Sequence, residues 1–555
     1  MNFSNIKKLF ENHRLVATVL AAILVVIASL SVYFFVYRSH DFLLTRYDEV
    51  VIARNWAQTG IAGYEDKNNV VISSSLMPTR GVASTLGNKL TYYIYGIIFR
   101  LVGFHPSLPM YISFFLYAVS ASLLFLIIKK LFGWSVGLIS AGINLVAPFF
   151  LPYILSVGKS EWAYFFFIIG TVIYFWPTNY KKISRLAFVG IFLSLSVASR
   201  NSYFVTILPV VIMELWFYRE ALKRRFINVA VLFATFLIIA VPFAFIGSNS
   251  YIGLTFGGHK FESFHILGHL FPDPYTFKNE RDHYINDLIV KNQNASIKQK
   301  FSFWGDSGMF LDTFGATKVG ILRSQIIPII FSLDFYLEAF LSLIVFGGGL
   351  MWVLILFGAK ILAKEGESND FIKFSIISFF AWYVALSVTR TTNYPHYLML
   401  IMPLLVFSAV GLLSLARYII SYFEFRQLAK KLVIILVVCM VLLPMFEISW
   451  WHLRDYYQNS TSEAMGEQFV RGHKASDFPE NGVIAVGYFP KSMVLLNYYF
   501  DRNFIYFNPD TIKKIAQEKK IQSVFGEYEI IGVAGYSDKI TNLINSETNN
   551  KIINY

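Results

Sequence analysis

The chain has 555 residues, 55% of them hydrophobic and only 15% charged, with a mean hydropathy of +0.52. A soluble protein carries about a quarter charged residues, so this composition excludes an ordinary soluble domain and predicts an α-helical polytopic membrane protein, several of its runs reaching the roughly 20 apolar residues a spanning helix needs. The net charge of +13 does not signal nucleic acid, because Lys and Arg fall in short clusters between apolar runs, the positive-inside pattern. Cys439 is the one cysteine, which leaves no intrachain disulfide and no cysteine-based metal site.

Lys7, Lys8 and Arg14 place the N-terminus in the cytoplasm. The first apolar run, about 15–37, is too long for a signal-peptide core and lacks a small-residue cleavage site after it, so it stays as a helix leading outward. Residues 38–106 then form a long outer segment containing TRYDEVVIARNWAQTGIAG at 45–63. Asp48 and Glu49 head a short amphipathic helix there. Val50, Val51, Ala53, Ala57 and Ile61 can face apolar material, while Asp48, Arg54 and Asn55 need not. Two carboxylates beside a bilayer surface are costly to desolvate and usable as bases. The same residues also fit a capping box, Thr45-x-x-Asp48, in which Asp48 only satisfies helix amides. Leu90–Gly103 is aromatic, apolar and short, and Arg100 predicts a helix lying in or dipping into the interface.

Further spans are expected at about 108–128, 133–154, 162–178, 185–199, 202–218, 226–246, 335–358, 371–388, 397–416 and 431–450, eleven in all, with 185–199 shorter than a full span. Under that count the basic clusters at Lys129-Lys130, Lys181 to Arg185, Arg219 to Arg225, Lys360 to Lys373 and Arg417 to Lys431 all fall on the cytoplasmic side. The C-terminus is then extracytoplasmic in a plasma or inner membrane. Residues 1–450 form the membrane domain, with outer loops 38–106 and 247–330, and 451–555 form a small soluble α/β unit. Strands are expected at Gly482–Val486, Phe504–Phe507 and Tyr528–Val533, with helices at Ser492–Phe500 and from Asn508 to Lys520, a parallel βαβαβ fragment.

Charges at outer helix ends form the candidate site: Asp48, Glu49, Arg54, Lys89, Lys159, Glu161, Arg200, Arg390 and His396. Glu161 opens a span behind Ser160, where the plainer role is a helix cap and dipole partner. Arg200 marks the turn between two spans, where a snorkelling arginine is the alternative. Arg390 and His396 flank the outer ends of two late spans; cations there suit a phosphate-bearing lipid. Glu262, His265 and His269 share a helical face and could bind a metal, or sit solvated on a loop helix.

This order of features resembles the GT-C class of membrane glycosyltransferases that use polyprenyl-phosphate sugars, among them the protein O-mannosyltransferases, the lipid A aminoarabinose transferase and enzymes that decorate lipopolysaccharide cores. The resemblance rests on Asp48-Glu49 followed by Ile52-Ala53-Arg54-Asn55 and Gly60, on Lys129–Gly133 after a span, on Glu161 opening another, on Ser199-Arg200-Asn201, and on His396-Tyr397-Leu398 with Pro403. It covers about residues 10–420. The family's double proline is absent, Asn88-Lys89-Leu90 standing in its place; Asn201 replaces the usual proline and His396 the usual arginine. The resemblance implies transfer of a sugar from a polyprenyl-phosphate carrier to a hydroxyl of a lipid, glycan or protein, with inversion, on the outer face. It implies Asp48 as base, Glu49 and Glu161 as the other acidic members, and Lys89, Arg200, Arg390 and His396 as phosphate partners. A divalent metal near the carboxylates is compatible with it. The alternative from another class is a transporter or flippase for lipid-linked sugars, although such proteins usually place ionisable residues at mid-span and carry broken helices or an inverted repeat.

Overall fold

The structure is a computed structural model. It describes residues 3–40, 48–59, 89–146, 160–176, 182–218, 220–245, 349–364, 370–389, 404–422 and 427–458, together with parts of 469–554. Its helices in chain order are α1 (Phe3–His40), α2 (Asp48–Thr59), α3 (Lys89–Val102), α4 (Leu108–Phe132), α5 (Trp134–Val146), α6 (Glu161–Phe175) and α7 (Lys182–Ser199). A 3₁₀ turn (Asn201–Thr206), α8 (Ile207–Ile212) and a π turn (Met213–Phe217) follow. Then come α9 (Leu222–Phe245), α10 (Gly349–Lys364), α11 (Asp370–Thr389), α12 (Leu405–Ser421) and α13 (Gln427–Gln458). Five of these are long and apolar enough to cross a membrane, at Leu15–Arg38, Leu108–Phe132, Lys182–Ser199, Leu222–Pro242 and Ala429–Glu447. The chain is a polytopic helical membrane protein.

Several expected boundaries move. The segment expected to be short, 185–199, begins at Lys182 and reaches 18 residues, a sufficient span. The segment expected as one helix at 202–218 is instead 3₁₀, α and π in succession. Pro209 removes one amide donor there, which fits a locally retuned ladder. Helix α10 continues past 358 to Lys364, so Lys360 lies on the helix, and α12 runs from Leu405 to Ser421 rather than ending at 416. Residues 251–348 lie outside the described residues, and with them Glu262, His265 and His269.

The core is aromatic. Tyr33 of α1, Phe114 and Tyr117 of α4, Tyr164 and Phe167 of α6 and Tyr203 of the 3₁₀ turn are all buried in one cluster. Tyr117 and Tyr164 rings lie 5.7 Å apart, and Tyr203 meets Trp382 of α11 edge-on at 5.7 Å. Helices α7 and α9 approach closely because Gly190 has no side chain: a Cβ there would sit 2.6 Å from the Leu232 carbonyl oxygen. One turn later Ser194 donates to the Phe236 carbonyl at 2.7 Å, tying the same pair.

At the C-terminal end of α6 lies a polar knot. The Glu214 carboxylate is 0% exposed. It accepts from Tyr174 Oη at 3.0 Å, Asn228 Nδ2 at 3.0 Å and Lys182 Nζ at 2.9 Å. Glu220 shares Lys182 (3.2 Å) and Asn228 (3.0 Å). Burial works to raise the Glu220 carboxyl, but Lys182, Asn228 and Arg224 outweigh it and hold it below the usual carboxylate range. A buried carboxylate is tolerated only when partnered in this way.

In the C-terminal part, β1 (Val483–Val486), β2 (Phe504–Tyr506), β3 (Ile530–Ala534) and β4 (Ile553–Asn554) form one sheet in the order β2-β1-β3-β4, every pair parallel. Helix α14 (Asp538–Glu547) lies between β3 and β4 in sequence. Phe478, Phe500 and Phe504 fill one face with Ile484 and Val486, and Val470 packs on both this core and the membrane core. The first three strands fall within a residue or two of their expected positions. The helix expected at 508–520 lies outside the described residues.

Candidate active site

Helix α3 carries two contact stripes on nearly opposite faces, as residues spaced at about 100° per residue must. Thr91 and Tyr95 (i, i+4) face α6 and α7. Thr91 Oγ1 donates to the Ser199 carbonyl at 3.1 Å, and Tyr95 Oη donates to Glu161 Oε1 at 2.5 Å. Tyr93, Gly96 and Arg100 (i, i+3, i+7) receive α2. The Tyr93 ring meets Trp56 edge-on at 5.1 Å, and a Cβ on Gly96 would overlap Trp56 Cε3. Arg100 stacks over the Trp56 ring at 4.1 Å and donates to the carbonyls of Trp56 (2.9 Å) and Ala57 (3.3 Å). It thereby occupies the orphan acceptors in the last turn of α2.

Glu161 is the first residue of α6 and is 0% exposed. Besides Tyr95 it accepts from the Ser160 backbone N–H at 3.2 Å. Ser160 does not cap α6 with its side chain. Its hydroxyl accepts instead from Arg200 Nη1, which is itself only 8% exposed. Arg200 is therefore held inside the protein and is not a snorkelling side chain. Tyr203 lies within electrostatic reach of both Arg200 and Glu161. A buried carboxylate and a buried guanidinium thus both bond Ser160 at the head of α6. Three donors there have no protein partner among the described residues: Ser199 Oγ, Tyr203 Oη and Trp162 Nε1.

Asp48 and Glu49 are the first two residues of α2, and Lys89 is the first of α3. Their side chains, and Thr45, Lys159, Arg390 and His396 entirely, lie outside the described residues. Helix α2 itself is seated firmly, with Val50 and Ala53 at 0% exposure. Arg54, which the helix pattern did not require to face apolar material, is 1% exposed and lies over the Phe104 ring at 5.8 Å. The cation–π contact contributes to offsetting that burial. Among the described residues no three His, Cys, Asp or Glu side chains come together as a metal-binding group. Tyr95 and Ser160 were not legible as site residues: tyrosine is too abundant here, and a serine before a helix reads as a cap.

No protein-family model and no curated protein matches the chain. Among solved structures, it is similar to the apo oligosaccharyltransferase of Archaeoglobus fulgidus, at 12% identity over 92% of this chain and 69% of that one, with a TM-score of 0.53. It is similar to ArnT from Cupriavidus metallidurans in the apo state, at 11% identity over 90% and 91% of the two chains, with a TM-score of 0.51. It is also similar to the Archaeoglobus oligosaccharyltransferase AglB in complex with an inhibitory peptide and a dolichol-phosphate, at 12% identity over 92% and 68%, with a TM-score of 0.50. The likeness is one of fold: the chain shares its architecture with these membrane proteins.

Proposed function

We propose that the chain is an integral-membrane glycosyltransferase that moves a sugar from a polyprenyl-phosphate carrier to an acceptor hydroxyl on the outer face of a plasma or inner membrane, with inversion. The observation that carries this reading is the buried Glu161 carboxylate and Arg200 guanidinium at one helix head, joined through Tyr95 to the helix pair that bears Asp48 and Glu49. The fold supports it: a likeness to an oligosaccharyltransferase in complex with a dolichol-phosphate suits a lipid-phosphate donor.

The division of labour follows from chemistry. The acceptor hydroxyl attacks the anomeric carbon, and the carbon–oxygen bond to the lipid phosphate breaks from the opposite side. Asp48 accepts the hydroxyl proton, while Glu49 orients the loop or acceptor. Arg200 stabilises the negative charge that grows on the departing phosphate, with Lys89, Arg390 and His396 as its partners. Glu161 is the second acidic member of the site. In this reading the C-terminal α/β unit lies on the outer face, where it helps choose the acceptor.

The test is consumption of a panel of polyprenyl-phosphate sugars by the purified chain in nanodiscs, wild type beside Asp48→Asn. Release or transfer of sugar that drops by about 10²–10⁴-fold in the variant, with folding intact, supports the reading. Equal turnover in both would remove Asp48 as base. Absence of turnover with every donor, alongside saturable donor movement across liposomes, would replace the transferase with a transporter.

A further inference from the structure

We propose that Tyr95 is a positioning residue through which the buried Glu161 carboxylate holds α2, the helix that carries Asp48 and Glu49, in its working place. The inference rests on the preceding reading for what α2 does, but the mechanical linkage stands on geometry alone. Tyr95 and Gly96 are consecutive in sequence and face opposite partners. Tyr95 is 0% exposed and spends its hydroxyl on Glu161 at 2.5 Å. Gly96 lets Trp56 of α2 lie directly on the α3 backbone, with a Cβ there only 3.1 Å from the Ala53 carbonyl and overlapping the indole.

Both faces of α3 pack on aromatic neighbours, Trp56 on one side and Trp162 on the other, and the bundle side adds two polar ties. Between α2 and α3 the fit is broad and largely apolar: Trp56 on Tyr93 and Gly96, Arg100 on the last carbonyls of α2. The pair therefore moves as one body. Between α3 and the rest of the bundle, the named polar ties are Thr91 to the Ser199 carbonyl and Tyr95 to Glu161. Ser199 directly precedes Arg200, and Glu161 directly follows the serine that Arg200 contacts. Both ties thus end on the residues that frame the buried cation. Loss of the Tyr95 tie tilts the α2–α3 pair as a unit and carries the acidic head of α2 away from the reacting atoms. A one-ångström misplacement of a reacting group is costly on the order of 10²-fold in rate.

Amide hydrogen exchange across 48–59, read by mass spectrometry on the full chain in nanodiscs, tests the linkage without any substrate. Tyr95→Phe keeps the ring and loses the hydroxyl, and Glu161→Ala loses the acceptor. Each is expected to lower protection of 48–59 by about tenfold, and the double variant by no more than either alone, because both break the same charge-assisted bond. Glu161→Gln keeps an acceptor oxygen and is expected to retain protection. Should Tyr95→Phe fail to fold, Thr91→Val probes the neighbouring tie and is expected to loosen 48–59 in the same direction. If the proposed transfer activity is found, Tyr95→Phe lowers kcat at unchanged donor KM. Unchanged protection in Tyr95→Phe, or strictly additive losses in the double variant, overturns the linkage whether or not the chain proves to be a transferase.

Discussion

Gly358 of α10 and Gly411 of α12 stand face to face where the two helices cross. A Cβ on Gly358 would lie 2.8 Å from the Gly411 nitrogen, and a Cβ on Gly411 would lie 3.1 Å from the Gly358 nitrogen. What each would strike first is backbone, the carbonyl oxygens of Phe407 and Leu354. Backbone cannot rotate aside as a side chain can, so the crossing tolerates no added atom. Small residues at such crossings are the usual means by which membrane helices approach closely.

Gly411→Val is therefore expected to destabilise the chain by about 1–3 kcal/mol or more, as overpacking does. Thermal unfolding in detergent measures this. Gly133→Ala and Gly103→Ala, at turns with open space around the Cβ but positive φ, are expected to cost about 1–3 kcal/mol each through backbone strain alone. Equal melting temperatures for Gly411→Val and wild type would mean that the crossing is looser than drawn.

Lys182→Met leaves the Glu214 carboxylate, 0% exposed, without its cation. Breaking a buried pair from one side costs about 3–5 kcal/mol. The double variant Lys182→Met with Glu214→Gln recovers part of that loss, because the amide still bonds Tyr174 and no fully buried charge remains, while Glu220 keeps Arg224 but not Lys182. Unfolding curves of the three proteins decide it, and a double variant as unstable as the single one would contradict the argument.

Glu220 gives a pH signature. Its folded carboxyl titrates below its unfolded value, about 4.3, so the native state is favoured above that range and the contribution disappears as pH falls through the lower folded value. Melting temperature is expected to decline on acidification across this window, and Glu220→Gln to flatten that portion of the curve. An identical acid limb in the variant would assign the decline to other carboxylates.

Gly96→Ala strikes the other face of α3 from Tyr95. The added methyl meets Trp56, and α2 must shift by an ångström or more. Donor turnover is expected to fall by about 10²-fold, while Gly96→Ala combined with Trp56→Leu regains part of it. Recovery separates a steric fault from general unfolding.

Much of the fold can be read from hydropathy and charge. The spans near 15–37, 108–128 and 226–246 announce themselves as long apolar runs, and the three strands of the C-terminal sheet as short β-branched or aromatic ones. Boundaries fail where a polar residue continues a helix, as at Lys182 and Lys360, because a hydropathy window stops at charge while backbone hydrogen bonding does not. The α–π irregularity before Phe217 carries only Pro209 as a hint. At the site, the sequence names Glu161 and Arg200 because charges beside apolar runs stand out. It is silent on Tyr95, whose role depends on which of several tyrosines faces another helix. The burial of Arg54 is invisible for a related reason: its ring partner, Phe104, lies beyond the next helix in sequence.

Helix α6 is fastened at both extremities by the same chemical couple in opposite polarity. At its head it supplies the carboxylate, Glu161, to a phenol from elsewhere; near its foot it supplies the phenol, Tyr174, to a carboxylate from elsewhere. Fifteen residues at 1.5 Å each make it a strut of about 22 Å. A rod tied near both tips resists sliding and turning, so Glu161 keeps its register against the neighbouring helices. Any shift of the α2–α3 pair against the bundle is therefore felt first at the phenol–carboxylate bond at the head of this strut.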